Sequence, residues 1–393
     1  MDDNFKTALK EICTTAIPAA LVTITQAKGS TPRKAGAKML ITGDGQTFGT
    51  IGGGCGEAEV RREALNVLTE ECSATYVVNM TNELAEEEGM VCGGIMEVFI
   101  DYLPAEPAAG VNSAKSLLLA YLNSVEQGET PVLVTVIKAV TQNEVPVGLK
   151  LLLAPNLSMG DLGSDKLNLL AQELSRQVGV KPFVVQLDMA GNQIPAREMQ
   201  GGCKLLIEPT PPPVDLVVLG GGHIALPLCN MAKMLGYRVT VVDDRPLFAN
   251  VGRFTGVDQV ICQDFSTALK SLPIGPHTYI VIVTRGHKHD KECLSQVITR
   301  PAAYIGMIGS RRRVKALLAE LHAEGIDTAI LEQVYSPIGL DIAAETPEEI
   351  AVSILGELVK IHRGGKAQSS KLLEVNLEGK TYAATPDLFA KAW

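Results

Sequence analysis

Apolar and polar positions along the chain follow one pattern before a proline-rich stretch at Pro209–Pro213 and another after it. In the first part a helical pattern at Phe5 to Ala16 precedes a strand at Ala19 to Gln26 and a polar turn at Lys28 to Arg33. Strands at Lys38 to Thr42 and Thr47 to Ile51 flank Gly43-Asp44-Gly45, and an Asp-Gly pair between apolar runs is a hairpin signal. The second strand runs into Gly52-Gly53-Gly54-Cys55-Gly56. Glu57 to Thr69 then predicts a helix, with Val60, Ala64, Val67 and Leu68 near helical spacing. A strand at Thr75 to Met80, an acidic loop, the segment Val91-Cys92-Gly93-Gly94 and a strand at Ile95 to Tyr102 follow.

The same order recurs about 110 residues later, the mark of an internal repeat. Leu21-Val22-Thr23 returns as Leu133-Val134-Thr135, and Gly36 to Leu40 as Gly148 to Leu152. Gly49 and Gly52 match Gly160 and Gly163, and Gly93-Gly94 matches Gly201-Gly202. The copies differ where chemistry is expected. The first carries Gly-Ser-Thr-Pro-Arg, Cys55 and Cys92. The second has Gln142 to Pro146, Gly163-Ser164-Asp165-Lys166, and Gln200 in their places. Residues absent from the second copy are not needed to make the fold, which points to function for them.

Beyond the prolines, strands alternate with helices. Strands are expected at 214–220, 238–242, 259–262, 279–283, 304–308 and 333–335, and helices at 224–235, 293–299, 311–324 and 347–363. That alternation predicts a doubly wound parallel sheet. The expected fold is therefore α/β: an N-terminal α+β region, 1–208, with halves near 1–107 and 108–208, then a Rossmann-like domain, 209–363. The tail, 364–393, has no assigned place.

Composition narrows the function. The chain has 393 residues, 46% hydrophobic and 20% charged, which is globular. A net charge of −9 with no basic block argues against nucleic acid. The N-terminus lacks the apolar core of a signal peptide, and no apolar run approaches the ~20 residues of a membrane span. Eight scattered cysteines without a CxxC pair suit reduced thiols in the cytoplasm.

Five constellations can carry chemistry. Gly220-Gly221-Gly222-His223-Ile224-Ala225 is a G-x-G-x-x-A turn between a strand and a helix, where Gly220, Gly222 and His223 could meet an anion. Asp243 and Asp244 end the next strand about 20 residues on, where a ribose hydroxyl is bound in NAD-binding folds. That combination keeps open an NAD(P)-dependent oxidoreductase; an unused crevice fits it equally. Gly53-Gly54-Cys55 sets a thiol in a glycine turn before a helix, a place that favours thiolates, although small buried cysteines in tight turns are common. Cys92, with Lys28, Ser30, Thr31 and Arg33 as phosphate donors, is the third; the plain alternative is a solvated turn and a packed thiol. His287, His289 and Asp290 follow an apolar strand and could bind metal or serve as acid–base groups, or simply cap a helix. Ser310 and Arg311 open a helix that carries three arginines, which suggests an anion at its start or a solvated basic face.

Taken together these segments resemble the XdhC/CoxI proteins, maturation factors of xanthine dehydrogenase and related molybdenum hydroxylases. The resemblance rests on Gly29 to Arg33, Gly52 to Glu57, Val91 to Gly94, Pro211 to Pro213 before Gly220 to His223, Val241 to Pro246, Tyr304 to Arg311 and Ser336 to Ile342. It implies an accessory protein rather than an enzyme, one that binds molybdenum cofactor and passes it to a xanthine-dehydrogenase-type hydroxylase. A sulfur-transfer protein is the implied second partner, and a homodimer would suit a closed transfer path. Cys55 and Cys92 become the implied contacts to molybdenum. The family's Thr-His-Asp-His is replaced here by Thr284-Arg285-Gly286-His287-Lys288-His289-Asp290, so the histidines are shifted.

Overall fold

The computed structural model describes residues 3–80, 94–105, 113–139, 146–177, 179–188, 192–195 and 202–367. The chain divides into two units, Met1–Pro212 and Pro213–Trp393, with the break inside the proline run. Among the described residues no helix is long and apolar enough to cross a membrane.

The first unit opens with α1 (Asp3–Thr14), which buries Phe5, Ala8, Leu9 and Ile12 at i, i+3, i+4 and i+7. Strands β1 (Ala19–Gly29), β2 (Lys38–Thr42) and β3 (Thr47–Gly49), helix α2 (Gly54–Glu70), and strands β4 (Ala74–Asn79) and β5 (Gly94–Leu103) follow. They form an antiparallel sheet of order β3-β2-β1-β5-β4. The chain then repeats itself: α3 (Ala114–Glu126), β6 (Val132–Ala139), β7 (Lys150–Ala154), β8 (Leu157–Gly160), α4 (Asp165–Gln177), β9 (Phe183–Leu187) and β10 (Cys203–Pro209). The second sheet has the order β8-β7-β6-β10-β9, the first order strand for strand.

The likeness extends to irregularities. The β1–β5 register slips between Ile24 and Gln26, and the β6–β10 register slips at Lys204–Leu205, opposite Ile137. A Cβ on Gly49 would sit 2.7 Å from the Lys38 carbonyl oxygen, and one on Gly160 2.2 Å from that of Lys150, so both strand ends demand glycine. Register puts Lys204, Leu206 and Glu208 where the first sheet has Glu97, Phe99 and Asp101. This is one residue away from the match that the glycine pairs suggest.

The two halves share a core. Leu9 and Ile12 of α1, Leu118 and Leu122 of α3, and Leu21 and Leu133 of the central strands belong to one buried cluster. Charges are exchanged reciprocally across it. Lys38 of the first half pairs with Glu208 of the second at 2.7 Å, and Lys150 of the second pairs with Asp101 of the first at 2.7 Å. Glu97 and Lys204, equivalent to each other in register, face one another at 3.5 Å. This is the arrangement of a two-fold interface, in which residue i meets j and j meets i, built within one chain. Lys115, 1% exposed, ties α3 to the end of α1 by donating to the carbonyls of Thr15 and Ile17.

The second unit contains β11 (Asp215–Leu219), α5 (Ala225–Met234), β12 (Arg238–Asp243), β13 (Gln259–Cys262), α6 (Phe265–Ser271), β14 (Thr278–Ile282), α7 (His287–Val297), β15 (Tyr304–Met307), α8 (Arg311–Ala323), α9 (Thr328–Leu331) and α10 (Pro347–Arg363). Its sheet is wholly parallel, of order β13-β12-β11-β14-β15. Helices α5 and α10 cover one face through Leu228, Ile354 and Leu358. Helices α6, α7 and α8 cover the other through Leu269, Leu294 and Leu317. The fold is therefore doubly wound, as the alternating pattern predicts.

Three details differ from expectation. Helix α7 starts at His287, not Cys293. The strand expected at 333–335 is reduced to a single bridge between Tyr335 and Gly306. Helices α6 and α9 have no counterpart in the apolar pattern; Asp264 and Asp327 cap them by accepting from the N–H groups of Thr267 and Ala329.

Candidate functional site

Two places concentrate the chemistry-bearing residues, one in each unit. In the first unit the site is the passage from β3 into α2. The helix begins at Gly54, three residues before the expected start, so Cys55 stands in its first turn rather than in a turn ahead of it. The cause is Glu57. Its Oε2 accepts from Thr50 Oγ1 at 2.6 Å and from the N–H groups of Ile51 and Gly53, each at 3.0 Å. Partial burial pushes the Glu57 carboxyl up, but the hydrogen bonds from Thr50, Gly53 and Ile51 outweigh it and hold it below the usual glutamate range.

Gly52 lies against Pro32, where a Cβ would come within 2.3 Å of the proline ring. Gly53 and Gly54 have φ of +74° and +69°, and a Cβ on either would meet nothing within 4 Å. Bare backbone thus borders open space directly before the exposed Cys55. A thiol here receives the partial positive charge of a helix N-terminus.

The contact with Pro32 brings the 30–33 turn beside this loop, with Ser30 and Arg33 exposed on it and Lys28, expected in the turn, at the end of β1. Gly94 packs against the Ser30 and Lys28 carbonyls, which sets the start of β5 beside the same turn. Cys92 and Gly93 lie outside the described residues.

The second half keeps the loop with other residues. Asn168 stands where Glu57 does. Its Oδ1 accepts from the Leu162 N–H at 2.9 Å, and its Nδ2 donates to Asp161, which also accepts from the Gly163 N–H. Ser164, Asp165 and Lys166 replace Gly53, Gly54 and Cys55.

In the second unit the carboxyl ends of the parallel strands gather most of the other predicted residues. Gly220, with φ +109°, passes so close to β14 that a Cβ would lie 2.5 Å from the Val283 carbonyl oxygen. Gly222 faces open space, and His223 is exposed. Asp243, 1% exposed, accepts from the Gly221 N–H at 2.8 Å and from Arg245 through its backbone N–H (3.0 Å), Nε (2.8 Å) and Nη2 (2.9 Å). Burial raises the Asp243 carboxyl, and the bonds from Arg245 and Gly221 overcome that and lower it on balance. Arg253 caps the carbonyls of Gly221 and Gly222 at 2.6 and 3.1 Å. Asp244 pairs with Arg285 at 2.8 Å, joining the β12 and β14 loops.

His287, His289 and Asp290 lie in the first helical turn of α7, where His289 and Asp290 face different partners. Asp290 turns inward, accepting from Thr284 Oγ1 at 2.5 Å and pairing with Arg313. Burial raises its carboxyl against the lowering effect of Thr284 and Arg313. The His289 ring packs on Phe265, 5.5 Å between centroids. Among the described residues no group of three or more His, Cys, Asp or Glu side chains is placed to hold a metal ion. Consecutive residues of one turn fan outward, and here Asp290 is already engaged. Ser310 caps α8 by accepting from the Arg313 N–H, and Arg311 is exposed beside it. Sequence reasoning gives no role to Arg245, Phe248 and Arg253: Arg245 neutralises Asp243, Arg253 holds the carbonyls of the glycine turn, and the Phe248 ring lies against both guanidiniums. An arginine two places after Asp243 is the available signal.

Residues 14–79 match the model of the XdhC and CoxI family, and residues 216–358 match that of the XdhC Rossmann domain. The chain belongs to the XdhC and CoxI family. The first match contains the Cys55 loop and the second contains the whole parallel-sheet edge. A Bacillus subtilis relative, named as a component of a probable xanthine dehydrogenase, is 29% identical, over 92% of this chain and 98% of its own. A second relative, the Escherichia coli molybdenum cofactor insertion chaperone PaoD, is 22% identical over 92% of this chain and 91% of its own. The fold resembles the crystal structure described as a xanthine dehydrogenase from Bacillus halodurans, with a TM-score of 0.71, 24% identity, and coverage of 94% of this chain and 98% of the other. In this XdhC/CoxI chain the described candidate residues lie in one half of the first unit and along one edge of the second.

Proposed function

We propose that this XdhC/CoxI chain binds molybdenum cofactor as cargo at the Cys55 loop and delivers it to a xanthine-dehydrogenase-type hydroxylase. One observation carries the reading: an exposed thiol at a helix N-terminus follows two glycines whose α-carbons border open space, and all three are replaced in the half that keeps the same loop. The residues fit the cargo's chemistry. A thiolate is a soft ligand for a metal, and bare glycine backbone admits a bulky, flat pterin. Its phosphate would find donors in the 30–33 turn, from Ser30 and Arg33. Cys92 is the second thiol of the reading. The names of the two relatives support both the cargo and the recipient. A sulfur-transfer protein is a further partner in this reading, and the chain acts as an accessory, not as the hydroxylase.

The test is molybdenum and pterin content after anaerobic purification from a cofactor-producing host, with Cys55→Ala and Cys92→Ala alongside. Near-stoichiometric cofactor in the wild type, lost in Cys55→Ala, is the expected result. Equal cofactor in wild type and Cys55→Ala would overturn the assignment of the loop. Its absence from wild type, under conditions that load a known binder, would overturn the cargo itself.

A further inference from the structure

The glycine turn after β11 and the acid after β12 are the two parts by which a Rossmann-like sheet holds a dinucleotide: the turn takes the pyrophosphate, the acid the ribose hydroxyls. The acid here is already satisfied. Asp243 has two oxygens and about four lone-pair sites. Four donors fill them: the Gly221 N–H and three N–H groups of Arg245. The Arg245 guanidinium is fixed on its other side as well, lying over the Phe248 ring at 3.6 Å from the centroid. The Phe248 carbonyl is pressed against Gly221, where a Cβ would come within 2.7 Å of it. Arg253 then clamps the turn by its carbonyls and also lies near the Phe248 ring.

We infer that Arg245 is a built-in occupant of the ribose subsite, doing for Asp243 what a ribose diol does elsewhere, and that this edge therefore refuses nicotinamide dinucleotides of the NAD type. A diol would have to strip a charge-assisted, bidentate guanidinium from a buried carboxylate and replace it with two neutral hydroxyls. That exchange is unfavourable, because it gives up a bidentate ion pair and leaves a buried carboxylate without its counter-charge. A Rossmann-like fold is thereby kept without its usual redox partner. The inference is independent of the cargo reading, since it concerns the second unit alone.

The experiment is isothermal titration of the full chain with NAD+, for wild type, Arg245→Ala and the double variant Arg245→Ala/Asp243→Asn, with melting curves as a check on folding. Wild type is expected to show no saturation up to about 1 mM. Arg245→Ala should bind roughly ten- to a hundredfold more tightly, as a freed carboxylate accepts the diol. The double variant should lose that gain. Micromolar binding by wild type would overturn the inference whether or not the variants fold. So would an Arg245→Ala protein that melts normally and binds no better than wild type, or a gain that survives loss of the carboxylate. Should Arg245→Ala not fold, Phe248→Ala loosens the same guanidinium and is expected to gain affinity in the same direction; no gain there would count against the inference.

Discussion

Replacing Lys150 by methionine removes one charge from the most deeply buried ion pair across the two halves. The Lys150 side chain is 2% exposed and its partner, Asp101, 5%. The ammonium also donates to the Gly148 carbonyl at 2.8 Å. Methionine keeps much of the volume but leaves the Asp101 carboxylate buried without its cation; the Ser73 hydroxyl remains as a donor at 3.3 Å. Removing one member of a buried pair costs about 3–5 kcal/mol, because the desolvated survivor is uncompensated. For a unit of this size the loss lowers its melting temperature by roughly 6–20 °C. Urea unfolding followed by far-ultraviolet circular dichroism is the suitable assay. The double variant Lys150→Met/Asp101→Leu should recover most of the loss, since paired apolar replacements of buried ions are often neutral. A single variant within about 1 kcal/mol of wild type would refute the reasoning, because it would mean that water or another cation reaches Asp101.

The Cys55 loop gives further tests. Glu57→Ala should speed alkylation of Cys55 relative to Cys72, an exposed thiol just beyond the far end of α2, by releasing the loop; an unchanged ratio would deny Glu57 its positioning role. Because the folded Glu57 carboxyl is depressed, its contribution is complete above the ordinary glutamate value and is lost as pH falls through the lower folded value. Wild type should therefore lose more stability than Glu57→Gln on acidification in that window, as read by melting temperature. Gly54→Ala meets no steric contact but must hold φ +69°, so it should cost about 1–2 kcal/mol while the added methyl lowers cofactor content; full loading would argue against that backbone as the cradle. Burial lifts the Cys13 thiol to about 11, against the lowering effect of Lys115, and the Cys229 thiol to about 12. A disulfide exchange reagent at pH 8 should thus react with Cys55, Cys72 and Cys262 in the native protein and spare Cys13 and Cys229; rapid native labelling of Cys229 would contradict its burial.

Periodic features are legible in the sequence. The repeat announces itself through Gly49 and Gly160, glycines that a nearby carbonyl oxygen makes obligatory, and the parallel sheet through apolar strands followed by glycine turns. Polar contacts made at long range are not legible. His287-Lys288-His289-Asp290 has no apolar period and reads as a loop, yet it is the first turn of α7 because Asp290 is buried against Thr284 and Arg313. Cys55 reads as lying ahead of its helix because the glycines look like a turn. Glu57, seven residues after Thr50, moves the helix start by binding backbone that no local rule connects to it. Lysines at 38, 115 and 150 would ordinarily be set on the surface. Their placement inside follows from acceptors that come from the opposite half, for Lys115 the carbonyls just after α1.

The pair Glu97–Lys204 has a consequence for what one chain can do that two cannot. In an assembly of identical protomers, a residue on the two-fold axis faces its own copy. It can then meet only its own charge, so such positions are kept neutral, polar or distant. Glu97 and Lys204 occupy equivalent places, one in each half, and have opposite signs. Joining the halves into one polypeptide removes the requirement that both sides change together. Each half is free to differ: one holds a cation where the other holds an anion, and one holds a glycine-flanked thiol where the other has Ser164-Asp165-Lys166. Broken symmetry is what allows a scaffold of two matching parts to present a single glycine-flanked thiol, and under the proposed function a single place for cargo.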